Sequence, residues 1–271
     1  MEKPLITSLS NPLVKQARAL HQKKARIESG LFLVEGIHHV GEALEAGWEV
    51  ESVLYAPQLL TSNFARDLIS RLGTKPQPVS AQVMESLADK ENPQGLLAIV
   101  HQRQLQLDEY RNVPSAEAQK ITRAAALVSP QDPGNVGTIL RTMDAVGADV
   151  LFLLDDGVEL YHPTVVRSSM GTIFWKPVIQ TSFNEFVRWA GHGKFQLLGT
   201  SAHGDVDYQT LVPRLPWILV LGNEQKGLST EQTRACDAAV YLPMKGIVSS
   251  LNLAVAAGIL LYHFCMDDRH V

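Results

Sequence analysis

Cysteine is nearly absent. Cys236 and Cys265 are the only two in 271 residues, with no metal-ligand or disulfide-framework spacing, which excludes a disulfide-stapled scaffold and suits a reducing cytosol. The nine histidines are scattered, and the adjacent His38-His39 pair is not a ligand spacing on a helix face, so no metal site is expected. Residues 1–20 lack a continuous apolar core, so no secretory signal is expected, and the chain reads as cytoplasmic with no membrane partner. Excess positive charge is also missing. The formal net charge of −4 lacks the basic balance of a dedicated nucleic-acid binder. No strand is followed by G-x-G-x-x-G, which argues against a dinucleotide enzyme. In Gly222…Lys226-Gly227 the lysine precedes the glycine, whereas a phosphate-binding P-loop needs it to follow.

What is present is an ordinary globular composition, 45% apolar and 19% charged, in a chain long enough for two modest domains. Charge is unevenly spread: residues 1–30 hold six basic residues (Lys3, Lys15, Arg18, Lys23, Lys24, Arg26) against two acidic ones. Residues 9–26 read as one basic helix introduced by Ser10-Asn11-Pro12. Strands follow at 31–34, 50–55 and 95–101, with helices at 36–47 and 63–71. Periodicity fades over 102–121, which sets domains at 1–104 and 122–271 joined by a linker at 105–121. Regular strand–helix alternation from Ala124 onward implies a mostly parallel α/β sheet.

The most informative stretch runs from Trp217 to Phe264. Ile218–Leu221 and Ala239–Leu242 have strand length and composition, and each feeds a Gly-containing polar loop. Loops at the carboxyl ends of parallel strands are where open α/β sheets bind ligands. Residues 251–264 form a helix with only Asn252 and His263 polar, too short to span a bilayer and hard for one subunit to cover, so a homodimer seam is expected there. A third loop, Ser129-Pro-Gln-Asp-Pro-Gly-Asn-Val-Gly-Thr-Ile-Leu-Arg-Thr, lies at a strand-to-helix turn. In it Asn135 can cap the helix, and Arg141 projects nearly one turn after Thr138.

Three of these strings resemble the ordered motifs of the SpoU (TrmH-type) RNA 2′-O-ribose methyltransferases. They are Ser129–Thr142, Gly222-Asn-Glu-Gln-Lys-Gly-Leu-Ser229, and Leu242-Pro-Met-Lys-Gly-Ile-Val-Ser-Ser-Leu-Asn252. The Asn11-Pro-Leu-Val-Lys15 and Phe32-Leu-Val-Glu-Gly36 pieces resemble the substrate-binding domain often joined to them, a small α/β module similar to RNA-binding ribosomal proteins. The resemblance implies a SPOUT-like parallel sheet with a C-terminal trefoil knot, a homodimer, S-adenosylmethionine as cofactor and ribosomal RNA as substrate. It implies Arg141, Asn135, Glu224, Ser250 and Asn252 as the catalytic set. Thr200, Gly222, Leu242, Met244 and Leu251 would line the cofactor pocket. Lys15, Arg18, Lys23, Lys24, Arg26 and Arg167 would face RNA, Arg167 through a stretch similar to the family's Arg-Ala-Ser. Gln225 departs from the family's common glycine, and Lys245 adds a charge at a variable position. A transfer-RNA ribose methyltransferase and a catalytically silent RNA-binding protein of the same fold are the alternatives.

Overall fold

Asn11 and Pro12 start the first helix as their residue types require: the Asn11 side chain accepts from Leu13 N at 2.9 Å, and Pro12 occupies the first helical position. The computed structural model describes residues 3–70, 76–89, 92–107 and 121–266. The chain divides into two compact units, Met1–Arg103 with Glu159–Trp175, and Gln104–Val158 with Lys176–Val271.

In the first unit, α1 (Pro12–Ala19) and α2 (Lys23–Ser29) replace the single helix expected over 9–26. At the break the Leu20 carbonyl is taken up by a side chain six residues on, itself held by Glu159. The Leu20 carbonyl accepts from Arg26 Nη1 at 2.7 Å, and α2 ends at Gly30 in the left-handed region, φ 66°. Then come β1 (Leu31–Glu35), α3 (Ile37–Glu45), β2 (Val50–Tyr55), α4 (Asn63–Ser70), β3 (Gln77–Pro78), α5 (Ala81–Leu87) and β4 (Leu96–His101). They form a four-stranded sheet in the order β1-β4-β2-β3, antiparallel except for β2–β3. Helix α5 is absent from the sequence pattern although Ser80 caps it, accepting from Val83 N.

Residues 159–175 pack into this unit, whereas strand–helix alternation assigns them to 122–271. The reason is aromatic packing and one ion pair. Tyr161 lies 4.5 Å from Phe32 between ring centroids, Phe174 lies 5.3 Å from Trp48, and Glu159 receives both Nε and Nη2 of Arg26. No periodicity encodes such partners.

The second unit holds β5 (Arg123–Val128), α6 (Pro133–Ala145) and β6 (Val150–Leu154). After α7 (Pro163–Ser168) of the first unit it continues with β7 (Val178–Thr181), α8 (Phe183–His192), β8 (Gln196–Thr200), β9 (Val206–Asp207), β10 (Trp217–Leu221), α9 (Thr230–Arg234), β11 (Ala238–Tyr241) and α10 (Leu253–Met266). Every strand pair in its seven-stranded sheet is parallel, in the order β7-β6-β5-β10-β8-β11-β9. The expected α/β class with a mostly parallel sheet is what the chain adopts. Strand β10 is central and wholly buried, because it is paired on both edges and covered on both faces. Helix α10 packs on α6 and β10. Most of the expected linker lies outside the described residues; at its ends, Leu105 bridges in parallel to Ile179 and Ile121 joins the apolar core.

Candidate active site

Strands β10, β8 and β11 are adjacent and parallel, so the loops leaving their carboxyl ends emerge side by side at one edge of the sheet. These are the loops that carry Thr200, Gly222 and Leu242. Strand β5, on the other side of β10, delivers the Ser129–Asn135 turn to the same edge.

Within that turn the helix cap is Asp132, whose side chain accepts from Gly134 N at 2.7 Å, and not Asn135. Pro133 at the first helical position sets the cap one residue before itself. Asn135 is thereby freed to face inward, only 6% exposed, where Nδ2 donates to Glu224 Oε1 at 3.1 Å and Oδ1 accepts from Asn252 Nδ2 at 3.0 Å. The Asn252 Oδ1 in turn accepts from Ala254 N and Val255 N at the entrance to α10. The orientation of both amides follows from chemistry. A carboxylate can only accept, so the Asn135 atom facing Glu224 is the nitrogen, and its oxygen is left for Asn252. Three loops up to 117 residues apart are tied into one chain, Glu224–Asn135–Asn252.

Glu224 is held further by Gln131 N at 2.9 Å and Asp132 N at 3.1 Å. Burial pushes its carboxyl up, but the hydrogen bonds from Asn135 and from the Gln131 and Asp132 amides outweigh burial and hold it below its ordinary pKa. Glu224 is thus an ionised anchor at neutral pH. With the Asn252 oxygen already accepting twice, the asparagine pair presents chiefly N–H donors, suited to an oxygen that gains negative charge.

Gly222 closes its loop. A Cβ there would stand 2.3 Å from Gly227 C and Leu228 N, so only glycine lets the Asn223–Gly227 turn fold back. Gln225 fits without strain, because its backbone is outside the left-handed region that a family glycine could exploit.

Other expected residues stand apart from this hydrogen-bonded chain. Arg141 is six residues beyond Asn135 on α6, about 120° around the helix. It is exposed, with no hydrogen bond or ion pair among the described residues. Ser250 is exposed and likewise unbonded. Met244 and Leu251 are exposed and Leu242 and Thr200 half-buried, all four on the adjacent loops.

Among the residues expected to face RNA, Lys15, Arg18, Lys23 and Lys24 are exposed, with Arg18 donating to Ser86 Oγ. Arg26 is a correction. It is 1% exposed, its guanidinium is spent on Glu159 and the Leu20 carbonyl, and it cannot meet RNA without unfolding. Arg167 is half-exposed and paired with Asp89 at 2.7 Å.

The residue that the motif reading leaves without a role is Asn223. Its Nδ2 donates to the Ser129 carbonyl at 2.8 Å, and its Oδ1 accepts from Gln225 N and Lys226 N. The turn-forming habit of asparagine is a sequence signal for the second contact, but nothing in sequence announces the first.

Residues 123–262 match the SpoU rRNA Methylase family, and residues 11–98 match the MRM3-like substrate binding domain. The chain is 33% identical over 264 residues to a 23S rRNA (uridine(2479)-2′-O)-methyltransferase of Streptomyces viridochromogenes, covering 95% of this chain and 90% of that protein. It is 31% identical over 258 residues to a 23S rRNA (guanosine(2553)-2′-O)-methyltransferase of Bacillus subtilis, covering 95% and 98%. Among solved structures, an AdoMet-bound rRNA methyltransferase from Sinorhizobium meliloti superposes with a TM-score of 0.85 at 34% identity, covering 99% of this chain and 98% of that one. The motifs, the parallel sheet that gathers them and these matches agree: the chain belongs to the SpoU rRNA methylase family.

Proposed function

We propose that this protein transfers a methyl group from S-adenosylmethionine to a ribose 2′-hydroxyl of ribosomal RNA. The observation that carries the reading is the Glu224–Asn135–Asn252 chain, built beside three adjacent loops at the carboxyl edge of the sheet. The two curated relatives act on a uridine and on a guanosine, which fits a reacting atom on the sugar. The fold favours the cofactor: backbone groups at the ends of β8, β10 and β11 can read its polar edges, and the exposed apolar side chains of Met244 and Leu251 can pack on a flat ring. Thr200, Gly222, Leu242, Met244 and Leu251 would hold it. When bound, it supplies an electrophilic methyl group on a sulfonium.

The chain's own residues then position the ribose and manage charge. Asn135 and Asn252 donate N–H groups towards the nucleophile, while Glu224 keeps their amides from turning. Arg141 orients an RNA phosphate and stabilises the developing alkoxide; a guanidinium stays protonated and does not serve as the base, so the hydroxyl proton passes to that phosphate or to water as the methyl leaves the sulfonium. Ser250 completes the ribose side. A cysteine route to a base carbon is disfavoured, since burial, reinforced by Asp237, pushes the Cys236 thiol up to about 12, and burial pushes Cys265 to about 11.

Replacing the target nucleotide by its 2′-deoxy counterpart should abolish transfer while phosphate-driven binding persists. The methylated product should resist alkaline cleavage at that one linkage. Transfer to the deoxy RNA at an undiminished rate would refute the assignment.

The proposal extends to organisation. Residues 1–104 bind RNA, with Lys15, Arg18, Lys23 and Lys24 as the exposed basic face and Arg167 beside Asp89. Residues 105–121 link them to the catalytic segment 122–271, whose residues 159–175 pack in the first unit, and the family matches at 11–98 and 123–262 support that division along the sequence. The C-terminal segment threads a trefoil knot; support comes from β10 lying between β5 and β8 while α10 returns onto α6 and β10. No described helix is long and apolar enough to cross a membrane.

Helix α10 is the homodimer seam. Val255, Ile259, Tyr262 and Met266 recur every three or four residues and leave an apolar stripe 38–57% exposed on one chain. Sedimentation at micromolar concentration should give a dimer, and Ile259→Glu should give a folded monomer. A monomeric unaltered protein would sink this reading.

A further inference from the structure

Ser129 leaves β5 with φ 46°, a left-handed conformation that residues with a Cβ rarely adopt. Such outliers persist where surrounding contacts over-determine them. Here the Ser129 carbonyl accepts from Asn223 Nδ2 at 2.8 Å and from Gln131 Nε2 at 3.0 Å. The turn so bent aims two consecutive amides, Gln131 N and Asp132 N, at the Glu224 carboxylate. Asn223 therefore grips the Ser129 turn with its nitrogen and its own Gln225–Lys226 turn with its oxygen, while its neighbour Glu224 receives the amides.

We infer that Asn223 is a positioning residue for methyl transfer, acting through the Ser129 turn to fix Glu224 and, through Glu224, the Asn135–Asn252 donor pair. This rests on the methyl-transfer reading above. Gly222 and Gly227 already close the loop sterically, with Gly227 N donating to Asn223 O at 2.8 Å, so the loop does not need the Asn223 nitrogen in order to fold. What that nitrogen adds is the register between the β5 and β10 loops. Its loss lets the two amides drift from Glu224, which removes two of the hydrogen bonds that hold its carboxyl down and moves its pKa upward.

Asn223→Asp keeps an oxygen for Gln225 and Lys226 and removes the donor to Ser129, but adds a negative charge beside Glu224. Asn223→Ala removes both, and Gln225→Ala alters only an exposed side chain of the same loop. Single-turnover methyl transfer to ribosomal RNA should fall about 10- to 100-fold in Asn223→Asp and Asn223→Ala and not in Gln225→Ala. Cofactor affinity and RNA KM should stay within about twofold, which separates lost positioning from lost binding. The acid limb of the rate–pH profile should move to higher pH in both Asn223 variants. In Asn223→Ala, which adds no charge, a merely structural role would not move that limb. In hydrogen exchange, the Gln131 and Asp132 amides should lose protection in Asn223→Asp while β5 and β10 keep theirs. An Asn223→Asp protein with an unaltered rate and acid limb would overturn the inference, as would one whose losses track a lower melting temperature with the acid limb unmoved. If the unaltered enzyme methylates no ribosomal RNA, the functional reading falls. Exchange at Gln131 and Asp132 then decides the positioning claim alone, and unchanged protection there overturns it.

Discussion

Arg141→Ala is expected to lower methyl transfer by about 10²–10³, the range found when one oxyanion-stabilising donor is removed, with S-adenosylmethionine binding unchanged. Its side chain is exposed on α6 and makes no hydrogen bond or ion pair among the described residues, so its removal breaks no folded contact. Stability should stay within about 0.5 kcal/mol, as for ordinary surface changes, and an inactive variant will therefore not be an unfolded one. Single-turnover rates, calorimetric titration of the cofactor and a melting curve together check this. Arg141→Lys should also be slow, because a point charge on a flexible stem cannot reproduce the planar fork that grips a phosphate. An active lysine variant would show that charge alone suffices, and an active alanine variant would remove Arg141 from the catalytic set.

The largest effect on stability is expected at Arg26. Its Nε and Nη2 meet Glu159 at 2.7 and 2.6 Å, its Nη1 meets the Leu20 carbonyl, and the guanidinium is almost wholly buried. Arg26→Ala leaves the Glu159 carboxylate unpaired in a poorly solvated place and should cost about 3–5 kcal/mol. Replacing both partners with apolar residues of similar volume should cost far less, since neither charge is then stranded. Lys24→Ala, which breaks an exposed pair with Glu28 at 3.8 Å, should cost no more than about 0.5 kcal/mol. Urea unfolding of the full chain measures all three. If Arg26→Ala unfolds normally but weakens RNA binding with a shallower salt dependence, the side chain is an RNA contact after all.

Much of the candidate site was legible because its residues sit in contiguous strings at strand–loop–helix junctions. Gly222, Glu224, Asn135 and Asn252 are recognisable within their motifs, and strand composition placed the loops that carry them. Local grammar was less reliable where two residues could do the same job. Both Asp132 and Asn135 are capping types, and only Pro133 decided between them. Arg26 looked like its neighbours Lys23 and Lys24 because charge patterning does not report burial. What buries it is Glu159, 133 residues away.

By itself, then, the sequence determined the α/β class, the mostly parallel sheet and the family. These follow from side-chain period, strand composition and contiguous motifs, which are local properties of the chain. The tertiary structure alone decided that residues 159–175 pack with the first unit, that 9–26 breaks at Leu20, that one stripe of α10 stays uncovered, and that Asn223 reaches Ser129. The first and last depend on partners far along the chain, Phe32, Trp48 and Arg26 in one case and Ser129 in the other, and a hydrogen bond or ring contact of a few ångströms leaves no trace in the spacing of residues that only folding brings together.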